Sequence, residues 1–170
     1  RDQEDMKAAV AKALQHFGHI DIVFANAGFG VAGRFEKLST EDFRRQFETN
    51  VFGVLNTIYA TLGEIKKTHG QIAIMGSANS YVSEPKKSPY CMSKFAVKAL
   101  ADSLFWELKS AGVGITLICP GIVESEIRKV NNLGEFHAEA KDPAPKKLTM
   151  PTSRAAKQIV DAILARKKEK

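Results

Sequence analysis

Tyr90 and Lys94, in the run Tyr90-Cys91-Met92-Ser93-Lys94, are the two residues of this chain best suited by type and spacing to move a proton. Side chains four apart on a helix share a face, so the phenol and the ammonium would be neighbours. A free phenol has a pKa of about 10 and releases its proton poorly near neutrality, whereas a cation within about 4 to 6 Å lowers that value by roughly 1 to 3 units. Such a tyrosine could give a proton to a substrate oxygen, or take one from it, at physiological pH. On its own the pair more often means an exposed aromatic beside a solvated lysine. Its weight comes from what surrounds it, beginning with Ser77, thirteen residues upstream of Tyr90.

Three apolar strands alternate with helices and would position these side chains. Residues 2–17 read as a helix stopped by Gly18, and residues 20–25 as a strand entering Asn26-Ala27-Gly28. Ser39 followed by Asp42 has the form of a capping box and opens a helix over 40–68 with Asn50 inside it. Residues 71–75 make a second strand that delivers Ser77 at its carboxyl end. Ser88 as cap and Pro89 in the first turn start a helix over 89–110, whose apolar face repeats through Val97, Leu100, Ala101, Leu104, Phe105 and Leu108. Residues 113–119 form a third strand ending at Pro120-Gly121, and Ser153 caps a last helix over 154–166. The alternation predicts an α/β fold, a doubly wound parallel sheet covered on both faces, with its ligand crevice at the carboxyl edge.

Five places along the chain, in order, resemble the classical short-chain dehydrogenase/reductase family: Asn26-Ala27-Gly28, Asn50, Gly76-Ser77, Tyr90 with Lys94, and Pro120-Gly121 with Ser125. The resemblance implies a Rossmann-like, NAD(P)-dependent oxidoreductase that reduces a ketone or oxidises a secondary alcohol. In it Tyr90 is the general acid and base, and Ser77 hydrogen-bonds the substrate oxygen. Lys94 lowers the Tyr90 pKa and binds the nicotinamide ribose, and Asn50 holds a water that links Lys94 to solvent. Asn26, Ala27 and Gly28 line the cofactor crevice, with Gly28 allowing close backbone approach. Pro120, Gly121, Ile122 and Val123 pass the nicotinamide carboxamide, and Ser125 keeps a hydroxyl where the family usually has threonine. Two further readings stand beside this one: a catalytically silent dinucleotide-sensing or scaffolding protein on the same fold, and a sugar-nucleotide epimerase or dehydratase, whose longer substrate domain has no room here.

The family pattern extends beyond this chain. Its T-G-x-x-x-G-x-G turn and two strand-helix-strand units of about 30 residues each do not occur in it, so residues 1–170 read as one partial domain. Residues 2–17 match the helix that follows the family's third strand, and the final strand is not recognisable. A bare sheet edge is therefore expected at 20–25. The stretch 126–151 lacks a clear period and is punctuated by Asn131, Asn132, Gly134, Pro143 and Pro145, which predicts a substrate loop with a short helix over 131–140. Tyr81, Val82, Phe136 and Met150 are candidates for its apolar lining, and Lys146 and Lys147 for an anionic contact.

Composition narrows the rest. With 44% hydrophobic and 26% charged residues the chain has ordinary globular composition, and no apolar run of about 18 residues or charged-then-apolar leader is present. No membrane span is expected, and Cys91 and Cys119 suggest a reducing, cytoplasmic setting rather than a disulfide framework. The net charge of +6 is spread among helices, with one dense run over 166–170 that reads as a solvated helix end. That spread argues against a nucleic-acid partner, while a basic surface attracts a phosphorylated dinucleotide and leans the cofactor toward NADP over NAD. His16, His19, His69 and His137 lack metal-ligand spacing, so no metal is assigned. The expected partners are a small-molecule carbonyl or alcohol substrate and copies of the same chain. The resemblance implies a homodimer or homotetramer built on the helices 40–68 and 89–110.

Overall fold

Runs rich in Ile, Val and Ala give three parallel strands, β1 (Ile22–Ala25), β2 (Gln71–Met75) and β3 (Gly114–Ile118), in the order β1-β2-β3. The computed structural model that shows them describes residues 3–170. Ile22 pairs with Gln71, and Gln71 with Gly114, so the three carboxyl ends finish side by side. Ile72, Ala73 and Ile74 of the central strand are wholly buried, as a run covered on both faces must be.

Helices α1 (Gln3–Phe17), α2 (Thr40–Phe47), α3 (Gly53–Thr68), α4 (Ser88–Glu107) and α5 (Thr152–Leu164) complete the frame. Asp2, expected in the first of them, lies outside the described residues. One core packs Val54, Ile58 and Ile65 of α3 and Val97 and Ala101 of α4 on Ile72, Ile74, Ile115 and Leu117. On the opposite face Ala162 and Ile163 of α5 pack on Ala73 and Ile118. The sheet is thus wound on both sides, the expected α/β architecture in partial form, and no described helix is long and apolar enough to cross a membrane.

Several local expectations change. The Ser39 capping box forms, with Ser39 N–H donating to Asp42 Oδ2 at 2.8 Å and Asp42 N–H to Ser39 Oγ at 3.4 Å. The helix it opens is not continuous, because a π-turn over Glu48–Phe52 separates α2 from α3. Lys87, not Ser88, occupies the cap position of α4, and Pro151, not Ser153, that of α5. In α4 the fixed φ of Pro89 suits the first turn whichever residue caps it.

The charged run after α5 is not a solvated helix end. Arg166 turns the chain with φ 51°, and Leu117 N–H then donates to Lys168 O while Lys170 N–H donates to Leu117 O, each at 2.9 Å. Residues 168–170 therefore lie parallel beside β3. The stretch 126–151 holds short 3-10 turns at Glu126–Lys129 and Lys146–Leu148 and a bridge between Val130 and Phe136, with no helix over 131–140. Arg128 donates to both Asp142 oxygens, at 2.5 and 2.7 Å, and to Val123 O at 3.0 Å, closing the loop on itself. Asn132 carries the loop across to the segment after β1, accepting from Ala32 N–H at 3.0 Å and donating to Ala32 O at 2.9 Å.

Candidate active site

The carboxyl end of β2 and the first turn of α4 meet at Lys94. The residue is 4% exposed, and its ammonium donates to Met75 O at 2.8 Å and lies 5.7 Å from the centroid of the Tyr90 ring. Met75 ends β2, so the strand itself holds the lysine. Ser77, two residues on, is buried and caps a tight turn, its Oγ accepting from Asn79 N–H at 3.1 Å and its N–H donating to Ser80 Oγ at 3.2 Å. Ser77, Tyr90 and Lys94 thus converge as expected.

The electrostatics differ from the simple cation argument. Burial pushes the Tyr90 phenol above its ordinary value, while a hydrogen bond with Ser77 pulls it the other way. Burial also brings Lys94 down to about 8, against a small opposing pull from Cys119. Desolvation disfavours both charged forms, yet at about 8 Lys94 still carries its proton near neutrality while Tyr90 stays a neutral phenol. The expectation that Lys94 lowers the phenol is therefore not met in the free protein, where burial raises it and the opposing pull comes from Ser77.

Asn50 is 1% exposed in the π-turn and its side chain is fully engaged. Nδ2 donates to Phe29 O at 3.0 Å and to Ser93 Oγ at 3.2 Å, and Oδ1 accepts from Phe29 N–H at 3.2 Å. Ser93 Oγ in turn donates to Tyr90 O at 2.7 Å. The carboxamide thus ties the loop after β1 to the turn that carries the tyrosine. Gly28 is explained from the same side, because a β-carbon there would sit 3.1 Å from Asn50 Oδ1. Its openness serves the asparagine first.

Asn26, Ala27 and Gly28 are exposed at the end of β1, and Pro120, Gly121, Ile122 and Val123 follow β3. β1 and β3 flank β2 in parallel, so both segments leave the carboxyl edge of the sheet. A β-carbon on Gly121 would meet no atom within 4 Å, so that backbone is open to a ligand. Ile122 O accepts from Met150 N–H at 2.8 Å, which brings the far end of the 126–151 stretch to the same place. Ser125 stands exposed at the head of the turn Glu126–Lys129. Val82 and Phe136, at 64% and 50% exposure, do not form a closed lining.

Sequence reasoning missed Gln46 and Ser93, both wholly buried. The signal was there in Gln46 and Asn50, two carboxamides four apart in a helical stretch. A cavity of about 410 Å³ is lined by Phe47, Ser88, Cys91, Met92 and Phe95. Residues 88, 91, 92 and 95 lie on the side of α4 away from Tyr90 and Lys94, so this cavity is separate from the crevice.

The short chain dehydrogenase family model matches residues 1–135, and the chain belongs to that family. It is 34% identical over 135 residues to an uncharacterized oxidoreductase of Schizosaccharomyces pombe, covering 79% of this chain and 57% of that one. It is 38% identical over 127 residues to the oxidoreductase UcpA of Salmonella typhimurium, covering 74% and 48%. The chain spans about half the length of these curated relatives. Among solved structures, an alcohol dehydrogenase from the archaeon Thermococcus sibiricus complexed with 5-hydroxy-NADP matches with TM-score 0.79 and 28% identity, over 98% of this chain and 66% of that one. A short chain dehydrogenase/reductase from Burkholderia phymatum in complex with NAD shares the fold with TM-score 0.86 at 24% identity, over 99% and 66%.

Proposed function

We propose that the chain carries the catalytic part of an NAD(P)-dependent oxidoreductase that interconverts a ketone and a secondary alcohol. The observation that supports this most is the convergence of Ser77, Tyr90 and a buried Lys94 with its pKa brought down to about 8. Neither the phenol nor the ammonium is needed there for stability, since both are desolvated at a cost.

The cofactor, when bound, supplies or accepts the hydride. In reduction Tyr90 gives its phenolic proton to the substrate oxygen, and in oxidation it takes the alcohol proton back. The Ser77 hydroxyl donates to the same oxygen and steadies charge as it develops. One of the three Lys94 hydrogens is used by Met75 O, and the other two have no acceptor among the described residues. Those two suit the ribose hydroxyls of a nicotinamide dinucleotide. Tyr90, Asn26, Ala27, Gly28, Pro120 to Val123 and Ser125 would hold the rest of that end. Because the Asn50 carboxamide is committed, a water linking Lys94 to solvent would rest on a main-chain carbonyl freed by the π-turn. The relatives' structures hold NAD and an NADP derivative, and the basic balance of this chain favours NADP.

The stretch 126–151 serves as the substrate loop, since Asn132 and Met150 fasten it across the crevice mouth. Exposed Tyr59, Met92, Phe95 and Trp106 on α3 and α4, 42% to 72% accessible, suit pairing with a second copy as a homodimer or homotetramer. Two unpaired cysteines suit a cytoplasmic setting.

Tyr90→Phe in the full-length enzyme tests the reading. It removes one hydroxyl and almost no volume, so ketone reduction should fall by about 100-fold or more while NAD(P)H affinity is retained. Turnover within twofold of the parent would sink the assignment.

A further inference from the structure

We propose that Gln46 is a positioning residue for Tyr90, holding the stretch 29–31 as the wall against which the tyrosine ring sits. This rests on the reading of Tyr90 as the proton donor. Gln46 has no solvent exposure, and a buried carboxamide is costly unless its polar atoms are satisfied. Oε1 accepts from Val31 N–H at 2.6 Å, and Nε2 donates to Phe29 O at 2.8 Å. Both partners are main-chain groups of a segment with no ladder of its own, so the glutamine supplies the hydrogen bonds that a neighbouring strand would otherwise give. A methionine or leucine would fill the same volume without burying an amide. What the glutamine holds is therefore its explanation.

Between the two clasped residues lies Gly30, where a β-carbon would stand 3.5 Å from Tyr90 Cδ2 and 3.9 Å from Cε2. The backbone itself is the back of the tyrosine's seat. Phe29 and Val31 on either side are 5% and 0% exposed, so the wall is anchored by packing as well. Asn50 reaches the same segment at Phe29 and reaches Tyr90 O through Ser93, which fixes the main chain of the tyrosine. Gln46 acts on the other side, through the surface behind the ring. Asn132 holds Ala32, the outer end of the segment, from the loop.

Gln46→Met in the full-length enzyme is the direct test, read by steady-state kinetics and by the ring resonance of Tyr90 in carbon-13 tyrosine-labelled protein. That resonance is assigned by its loss in Tyr90→Phe. A loosened wall should lower kcat at least about tenfold with KM for ketone and NAD(P)H within about twofold, since small displacements of a reacting group cost rate more than binding. The Tyr90 resonance should shift, with Tyr59 and Tyr81 unmoved. A Gln46→Met enzyme with a lower melting temperature but unchanged kcat and Tyr90 resonance would reduce the glutamine to a structural role and overturn the proposal. Where Gln46→Met does not fold, Gly30→Val carries the test, because its branches would press on the ring. Unchanged kcat and an unshifted Tyr90 resonance there would overturn it equally. If Tyr90→Phe proves active, the catalytic reading fails, while the resonance still reports whether Gln46 places the ring.

Discussion

The crevice floor and the loop above it are built on opposite terms. On the floor, Gln46, Asn50, Ser93 and Lys94 are all under 5% exposed, and each makes a short hydrogen bond to main chain or to another buried side chain. In the loop, the Asn131–Glu135 and Lys129–Ala138 bonds are exposed, and even the Arg128–Asp142 pair is 24% and 32% accessible. Buried polar networks fix geometry because breaking any member strands another, whereas exposed pairs exchange with solvent at little cost. The floor is therefore suited to a reaction that does not change, and the loop to a substrate that can.

The largest expected effect lies on the floor, where Lys94→Met should remove turnover by three orders of magnitude or more, since it takes both the ribose donor and the charge beside Tyr90. The same change should stabilise the free protein. Lys94 has a folded value near 8 against an ordinary 10.5, so between these the unfolded chain binds more protons. The burial penalty is present in full below pH 8, roughly 3 kcal/mol, and fades as pH rises toward the ordinary value. A melting temperature at pH 7 below that of the parent would break the assignment of the shift to burial. Asn50→Ala comes next. It strands Phe29 N–H and loosens Ser93, so denaturant unfolding should show a loss of about 2 to 4 kcal/mol. A loss under about 0.5 kcal/mol would place the floor on the same footing as the loop. Smallest is Arg128→Ala, which should quicken proteolysis between 129 and 147 several-fold and leave unfolding nearly unchanged. With the pair intact, Asp142 sits at about 2 because Arg128 and the Ala144 N–H favour its charged form. The tether should then persist through mild acid and be lost only as pH falls toward that value.

The sequence made the strands, the chain order of the site and the Tyr90–Lys94 face legible, because periodicity and local caps decide them. Burial decided the rest. The pair's electrostatics were misjudged because a cation's pull on a phenol depends on how far both are removed from water, which spacing does not report. Asn50 stands out through the family resemblance, yet the π-turn around it and its bond to Ser93 arise from tertiary contacts at positions 29 and 93. The segment 168–170 was illegible for another reason. Lys-Glu-Lys has little strand preference, and its pairing with Leu117 follows from where α5 and the Arg166 turn leave the chain.

Arg166 spans the carbonyls of His69, Gly70 and Gly112 at 2.9, 3.1 and 2.6 Å, riveting the end of the chain to the turns that feed β2 and β3, at the sheet edge away from the crevice. Together with the packing of α5 and the pairing at Leu117, this makes residues 151–170 a docked piece joined to the rest through the exposed stretch 141–147. A nick by trypsin at Lys141, Lys146 or Lys147 should therefore leave one particle by gel filtration and two bands on a denaturing gel. Loss of the small fragment without denaturant would show that the rivet does not hold.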